Sequence, residues 1–153
     1  MRDLEFFELP LGNITLERLD VWNDKHIKAI NGMRDFSAKR FCYDVKQDVC
    51  AAKRGSLEGN CFLVKNNDNY FGYLYISNDY DGERILSYII HKKVRGKGLG
   101  KVMLTSVSDY LLDNGISTSL KLHIKPQNVA SARLATSCGF DKVENSGIYS
   151  RKK

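Results

Sequence analysis

Along this chain apolar positions first alternate with polar ones, later recur every fourth residue, and alternate again near the end. Ile14 to Leu19 alternates as a strand does. Asn23 or Asp24 caps a helix running to about Met33, and a second helix runs from Val45 to Lys53, closed by Gly55. Phe36 to Tyr43, between them, reads as helix or loop. Phe62-Leu63-Val64 is a short apolar strand, and Asn66 to Asn69 is a turn of residues that tolerate left-handed backbone. Tyr70 to Ile76 is an aromatic-rich strand, followed by an Asp81-Gly82 turn. Ile85 to Ile90 is apolar on both faces, which predicts a central strand covered on both sides. From Leu99 the period becomes helical, with Leu99, Met103, Val107 and Leu111 on one face as far as Asp113. Asn114-Gly115 ends that helix.

Leu120, Leu122 and Ile124 alternate with Lys121 and His123 in a further strand. Asn128 caps a last helix that ends at Cys138, where Gly139 stops it, and a hairpin from Asp141 to Lys152 closes the chain around Ser146-Gly147. The predicted order is strand, two helices, three strands, helix, strand, helix, two strands. That order describes a mixed α/β sheet with helices on both faces.

Composition narrows the class. A chain of 153 residues, 42% hydrophobic and 27% charged, fits one domain with its own core. No apolar run is long enough to span a bilayer, and the acidic start Met-Arg-Asp-Leu-Glu-Phe-Phe-Glu lacks a signal peptide's apolar segment. The expectation is a soluble, cytoplasmic protein without a membrane partner. Cys42, Cys50, Cys61 and Cys138 form no C-x-x-C pair and stand at no zinc spacing from a histidine, so they read as reduced thiols and no metal is expected. The net charge of +6 favours anionic partners without choosing among them. Its distribution says more. Lys92, Lys93, Arg95, Lys97 and Lys101 crowd one segment, while Arg151, Lys152 and Lys153 form a basic tail.

That segment contains Arg95-Gly96-Lys97-Gly98-Leu99-Gly100, between the central strand and the long helix. A dinucleotide fingerprint fails, because its third glycine falls on Lys101 or Met103. A Walker loop fails on both its spacing and its Ser or Thr, since Val102 follows Lys101. What remains is R-x-x-G-x-G at a helix N-terminus, where free amides and the helix dipole favour an anion and glycine lets the backbone approach it.

The strand Tyr88-Ile89-Ile90, this turn, the strand through His123, and Asn128-Val129-Ala130-Ser131 leading to Cys138-Gly139-Phe140 together resemble the GNAT superfamily of acyl-coenzyme A-dependent N-acyltransferases. The resemblance is best from Ile85 to Phe140, and the order of elements is that family's order. It implies a single GNAT-like domain over residues 1–153, with a mainly antiparallel sheet of six to seven strands. It also implies acetyl-coenzyme A as cosubstrate. Backbone groups of Tyr88, Ile89 and Ile90 would pair with the pantetheine arm, and the Ile90 N–H would face the thioester oxygen. Amides from Gly96 through Lys97, Gly98, Leu99 and Gly100 to Lys101 would hold the pyrophosphate, with positive charge from Arg95, Lys97 and Lys101. Asn128 would contact the arm where the fourth and fifth strands splay. The family's usual proline before the turn is Lys92 here.

Acetyl transfer requires a deprotonated amine, a stabilised oxyanion and a departing thiolate. Many relatives carry a glutamate five residues before the Asn; this chain has His123, on the strand face opposite Leu122 and Ile124, and an imidazole accepts a proton near neutrality. His26 is read on a surface helix, and His91 beside the turn, where it could touch only phosphate. The tyrosine that many relatives place seven residues after the Asn is Ala135. Ser131 lies near the expected sulfur and could donate a hydrogen bond, or serve the helix cap. Tyr149 and Cys138 read as core.

The reading is therefore an N-acetyltransferase acting by direct attack in a ternary complex, as monomer or homodimer. The alternative is a coenzyme A-binding sensor without catalysis. A nucleic-acid binder ranks last, because no such module is present. The acceptor amine, a small molecule or a protein N-terminus, would meet Gly32 to Tyr43 and the hairpin from Asn145 to Tyr149. The first strand and the N-x-x-S helix start look like the branch that acetylates ribosomal-protein N-termini; other branches modify polyamines, amino acids or antibiotics.

Overall fold

In the computed structural model, which describes residues 4–34 and 45–153, one sheet carries eight strands. In chain order the elements are β1 (Glu8–Leu11), β2 (Ile14–Arg18), α1 (Asp24–Met33), α2 (Val45–Lys53), β3 (Asn60–Asn66), β4 (Asn69–Ile76), β5 (Glu83–Ile90), α3 (Leu99–Asp113), β6 (Ser119–His123), α4 (Val129–Ser137), β7 (Asp141–Lys142) and β8 (Ile148–Lys152). A 3₁₀ turn, Lys92–Val94, follows β5. The strands lie in the order β1-β2-β3-β4-β5-β6-β8-β7. Every neighbouring pair is antiparallel except β5 and β6.

The sheet holds one strand more than the hydrophobic pattern predicts, and it is β1. This strand is an edge, its alternate residues face solvent, and it contains Pro10. An edge tolerates proline because no ladder N–H is needed on the open side. With half its positions exposed, its apolar signal is too short to stand out. Phe36 to Tyr43 lies outside the described residues. The helix termini follow the sequence closely: the Asn23 side chain accepts from the Lys25 and His26 amides, and the Asn128 side chain accepts from that of Ser131.

Alternation along the strands sorts side chains onto two faces. One carries Ile14, Leu16, Phe62, Val64, Leu74, Leu86, Leu120 and Leu122 against Met103, Leu104, Val107 and Leu111 of α3 and Ala135 of α4. The other carries Cys61, Leu63, Tyr73 and Ile89 against Ile30 and Met33 of α1 and Val45 of α2. Each fully buried Leu, Ile or Phe contributes roughly 1.5–3 kcal/mol. β5 is central as expected, but its second face is only partly covered: Ile89 is buried, whereas Ile85 and Ser87 are half-buried. The helices reach only the end of the strand that leads into the glycine-rich turn.

One β-bulge interrupts the β3–β4 ladder. Val64 pairs with Gly72 and Lys65 with Tyr70, which leaves Phe71 as the extra residue. Phe71 and Gly72 consequently both turn toward α3, where a Cβ on Gly72 would lie 3.5 Å from the Met103 sulfur. Gly72 sits opposite Ile90, the last residue of β5.

His26 is not on the surface. It is 4% exposed, and its ring is turned inward onto partners distant in sequence. Its Nδ1 accepts from the Asp20 N–H at 3.0 Å, so Nε2 holds the proton and donates to Glu17 Oε1 at 3.1 Å. Tyr70 donates to the same oxygen at 2.5 Å, and Lys65 meets the other at 2.5 Å. Burial pushes the Glu17 carboxyl up, but hydrogen bonds from Lys65, Tyr70 and His26 outweigh it and bring the group down to about 2. Folding therefore gains stability from Glu17 above its ordinary pKa of 4.5 and loses it as pH falls toward 2. Glu17→Gln is expected to lower unfolding free energy by on the order of 2–3 kcal/mol at pH 7, with the gap to the parent shrinking between pH 4.5 and 2.5. Urea unfolding at pH 7, 4 and 3 checks this, and a gap constant with pH would refute it.

Candidate active site

β5 and β6 stop pairing partway along their length. Their parallel register runs from Glu83↔Ser119 to Leu86↔Leu122 and no further. Beyond it β5 continues to Ile90 beside β4, and β6 stays with β8 through His123↔Ile148. A notch opens between them. Which groups line it follows from the β4–β5 ladder. Ser77 N–H donates to the Ile85 carbonyl and His91 N–H to that of Phe71, so odd-numbered residues of β5 exchange bonds with β4. The backbone groups of Tyr88 and Ile90 therefore face the notch. Those of Ile89 are committed to Tyr73, and its side chain is buried on the α1 face. Ile89 thus stands apart from its two neighbours in the sequence-predicted set.

Arg95 caps the outer end of this edge, at the last residue of β5. Its Nε donates to the Ile90 carbonyl at 2.9 Å. The sequence reading assigns Arg95 to phosphate charge alone; here the side chain also fixes the peptide whose neighbouring N–H, that of Ile90, looks into the notch. Neither composition nor spacing signals that contact.

After the 3₁₀ turn the chain reverses through Gly96 and Gly98, at φ of 78° and 83°. Nothing lies within 4 Å of a Cβ built on either, so positive φ is the reason for glycine there. Gly100 is different: its Cβ would meet Leu134 of α4 at 3.3 Å and Ile90 at 3.6 Å, so its bare backbone lets α3, α4 and β5 converge. Gly98 is the N-cap of α3 and supplies no side-chain cap. The first amide paired along the helix is that of Val102, which donates to the Gly98 carbonyl at 3.1 Å. The amides of Leu99, Gly100 and Lys101 are thus available to an anion. That of Lys97 turns back to the Val94 carbonyl at 3.3 Å and is not part of this set.

On the far side of the notch, His123 ends β6 with its ring exposed. It shares a face with Lys121, whose ammonium pairs with Glu83 at 3.1 Å. Asn128 and Ser131 open α4. The Ser131 amide is capped by Asn128 Oδ1 at 3.2 Å, and its hydroxyl lies 2.9 Å from the Tyr88 phenol. Asn128, Ser131, Tyr88 and Ile90 therefore gather around one opening. Ala135, one turn along α4, is fully buried and brings no hydroxyl.

His91 does not face the anion turn. Its Nδ1 accepts from the Lys93 N–H at 3.1 Å, and its Nε2 packs 3.4 Å from the Cβ that Gly32 of α1 lacks. Tyr149 and Cys138 are buried in the core, as their surroundings in the sequence imply. On the α1 face, Tyr73 donates to Asp48 of α2 and lies 2.9 Å from the Cys61 sulfur. Burial pushes the Cys61 thiol up to about 12, which keeps it unreactive. Of the acceptor-facing segment expected from Gly32 to Tyr43, residues 35–43 lie outside the described residues.

A model of the acetyltransferase (GNAT) family matches residues 27–140. An uncharacterized N-acetyltransferase of Methanocaldococcus jannaschii is 28% identical over 86 residues, a match that spans 56% of this chain and 55% of that relative's length. Among solved structures, a ribosomal L7/L12 alpha-N-protein acetyltransferase in complex with coenzyme A shares the fold with a TM-score of 0.72 at 14% identity, covering 95% of this chain and 97% of that one. An aminoglycoside acetyltransferase in complex with coenzyme A and kanamycin does so with a TM-score of 0.72 at 14% identity, covering 92% and 95%. These structural likenesses establish the fold. The family model spans well over half of the sequence and takes in the notch, the glycine turn and the start of α4, and on that ground this chain belongs to the GNAT family of acetyltransferases.

Proposed function

We propose that the protein transfers an acetyl group from acetyl-coenzyme A to a primary amine. The observation that carries this reading is the end of β5–β6 pairing at Leu86↔Leu122, beside a helix whose first amides are unpaired. An extended amide-bearing arm fits the notch as an added strand, paired to Tyr88 and Ile90. A pyrophosphate attached to that arm would fall at the N-terminus of α3, on the amides of Leu99, Gly100 and Lys101, with Lys97 and Lys101 nearby. The coenzyme supplies the activated acyl thioester. The other groups belong to this chain: the Ile90 N–H, set by Arg95, stabilises the oxyanion; His123 takes the proton of the attacking amine; Ser131 donates to the departing sulfur.

Of the solved neighbours, one acts on a ribosomal-protein N-terminus and the other holds an aminoglycoside. For this chain the acceptor class is a primary amine, either a protein N-terminus or a small molecule. One observation favours a second reading, a coenzyme A-binding module without catalysis: buried Ala135 offers no hydroxyl at its place on α4.

Acetyl-coenzyme A is expected to raise the melting temperature, and NAD and ATP are not; an equal response to ATP would overturn the cofactor assignment. His123→Ala is expected to lower kcat by about 100-fold on an amine panel, with acetyl-coenzyme A affinity within about twofold of the parent. Thiol release measured across that panel checks it, and full retained activity would remove His123 as the base. Clear binding with no thiol release from the parent would favour the sensor reading.

A further inference from the structure

We infer that Tyr88 is a positioning residue for the leaving group: its phenol donates to Ser131 and thereby turns the serine proton toward the cofactor sulfur. This rests on the acetyl-transfer reading above. Tyr88 is the first residue of the notch edge beyond the last β5–β6 pair, and its side chain lies on the α3–α4 face. Its hydroxyl crosses to α4 and meets Ser131 Oγ at 2.9 Å, between residues 43 positions apart in sequence.

The other hydroxyls of α4 behave differently. Thr136 donates back to the Ala132 carbonyl at 3.0 Å, and Ser137 to that of Leu134 at 2.7 Å. Such back-bonding is the usual fate of a helical Ser or Thr, and it uses the hydroxyl proton. Ser131 escapes it, because it sits in the first turn, and its hydroxyl meets Tyr88 instead. The phenol is the more acidic of the two hydroxyls, so it is the better donor and the serine oxygen the better acceptor. With that arrangement the single proton of Ser131 is left to point away from Tyr88. The Asn128 cap on the Ser131 amide holds the residue while it does so. Donation by the phenol also polarises the serine O–H and strengthens it as a donor.

The balance of the step is simple. The amine nitrogen bonds to the acyl carbon and its proton passes to His123. The C–S bond breaks, and sulfur leaves with the electron pair as a thiolate. Ser131 donates a hydrogen bond to that thiolate, and His123 later returns its proton to water. Ser131 is the group that touches the sulfur; Tyr88 acts through it.

The test compares the parent with Tyr88→Phe, Ser131→Ala, the double variant and Ser131→Thr. Two quantities are read: kcat and KM for acetyl-coenzyme A, and the affinity for coenzyme A relative to desulfo-coenzyme A at pH 9. Tyr88→Phe is expected to lower kcat about tenfold, equivalent to one hydrogen bond of about 1.4 kcal/mol, with KM within about twofold. It should weaken coenzyme A but not desulfo-coenzyme A, because only the former presents a sulfur. Tyr88→Phe should cost nothing further in the Ser131→Ala background, and Ser131→Thr should keep most activity. Equal weakening of both ligands, additive losses in the double variant, or an unchanged kcat in Tyr88→Phe would overturn the inference. If the parent releases no thiol with any amine, the acetyl-transfer reading fails, while the contrast between the two ligands still decides whether Tyr88 and Ser131 act on sulfur.

Discussion

The pairing of β5 with β6 is the constraint from which the site follows. It is the one parallel pair in an otherwise antiparallel sheet, and parallel strands cannot be joined by a tight turn. The chain must leave the end of β5, cross one face of the sheet and return. α3 makes that crossing, so its N-terminus necessarily starts where β5 ends. A helix N-terminus with unpaired amides and a strand edge with no neighbouring strand beyond Leu86 are thus brought together by connectivity before any catalytic side chain is considered. The bulge at Phe71 lies across from the same strand end, and a bulge increases the local twist of its strand.

Under the proposed function, each group assigned to the chemistry comes from a different element. Ile90 brings a backbone N–H from β5, His123 a ring from β6, and Ser131 a hydroxyl from the first turn of α4. Their relative placement depends on contacts that fix the elements and not on the groups themselves. Gly100 lets α3 approach both Ile90 and Leu134, and the Arg95 side chain holds the Ile90 peptide. A side chain at position 100 would press on the Leu134 side chain, 3.3 Å from the added Cβ, and on Ile90 at 3.6 Å.

Local signals were legible in the sequence because they act over a few residues. The Asn23 and Asn128 caps, the Asp81-Gly82 turn and the run of α3 from Leu99 to Asp113 depend on neighbours within a turn or two. Features built from distant partners were not legible. His26 reads as a surface residue until Glu17 and Tyr70, from two other strands, are seen to enclose it. Tyr88 carries a backbone role by position, but nothing in the sequence links its hydroxyl to Ser131. β1 lacked a signal because an edge strand with Pro10 and alternating exposure has few buried positions to show. The glycine turn falls between these cases. Its spacing separated it from other phosphate loops, but which amides are uncommitted depended on Lys97 turning back to Val94.

The three histidines show why geometry must precede titration when a base is assigned. A general base needs an unshared nitrogen lone pair that can reach the amine. In His26 the Nδ1 lone pair accepts from Asp20 and the Nε2 proton is given to Glu17, inside the packed face of α1. In His91 the Nδ1 lone pair is taken by the Lys93 amide, which leaves Nε2 as a donor against α1. The His123 ring is bonded to no group among the described residues and stands exposed beside the notch. All three side chains have the same intrinsic basicity, so their partners distinguish them. Among the three, His123 is the one whose ring nitrogens no described group engages, and that is why the proposed function gives it the proton.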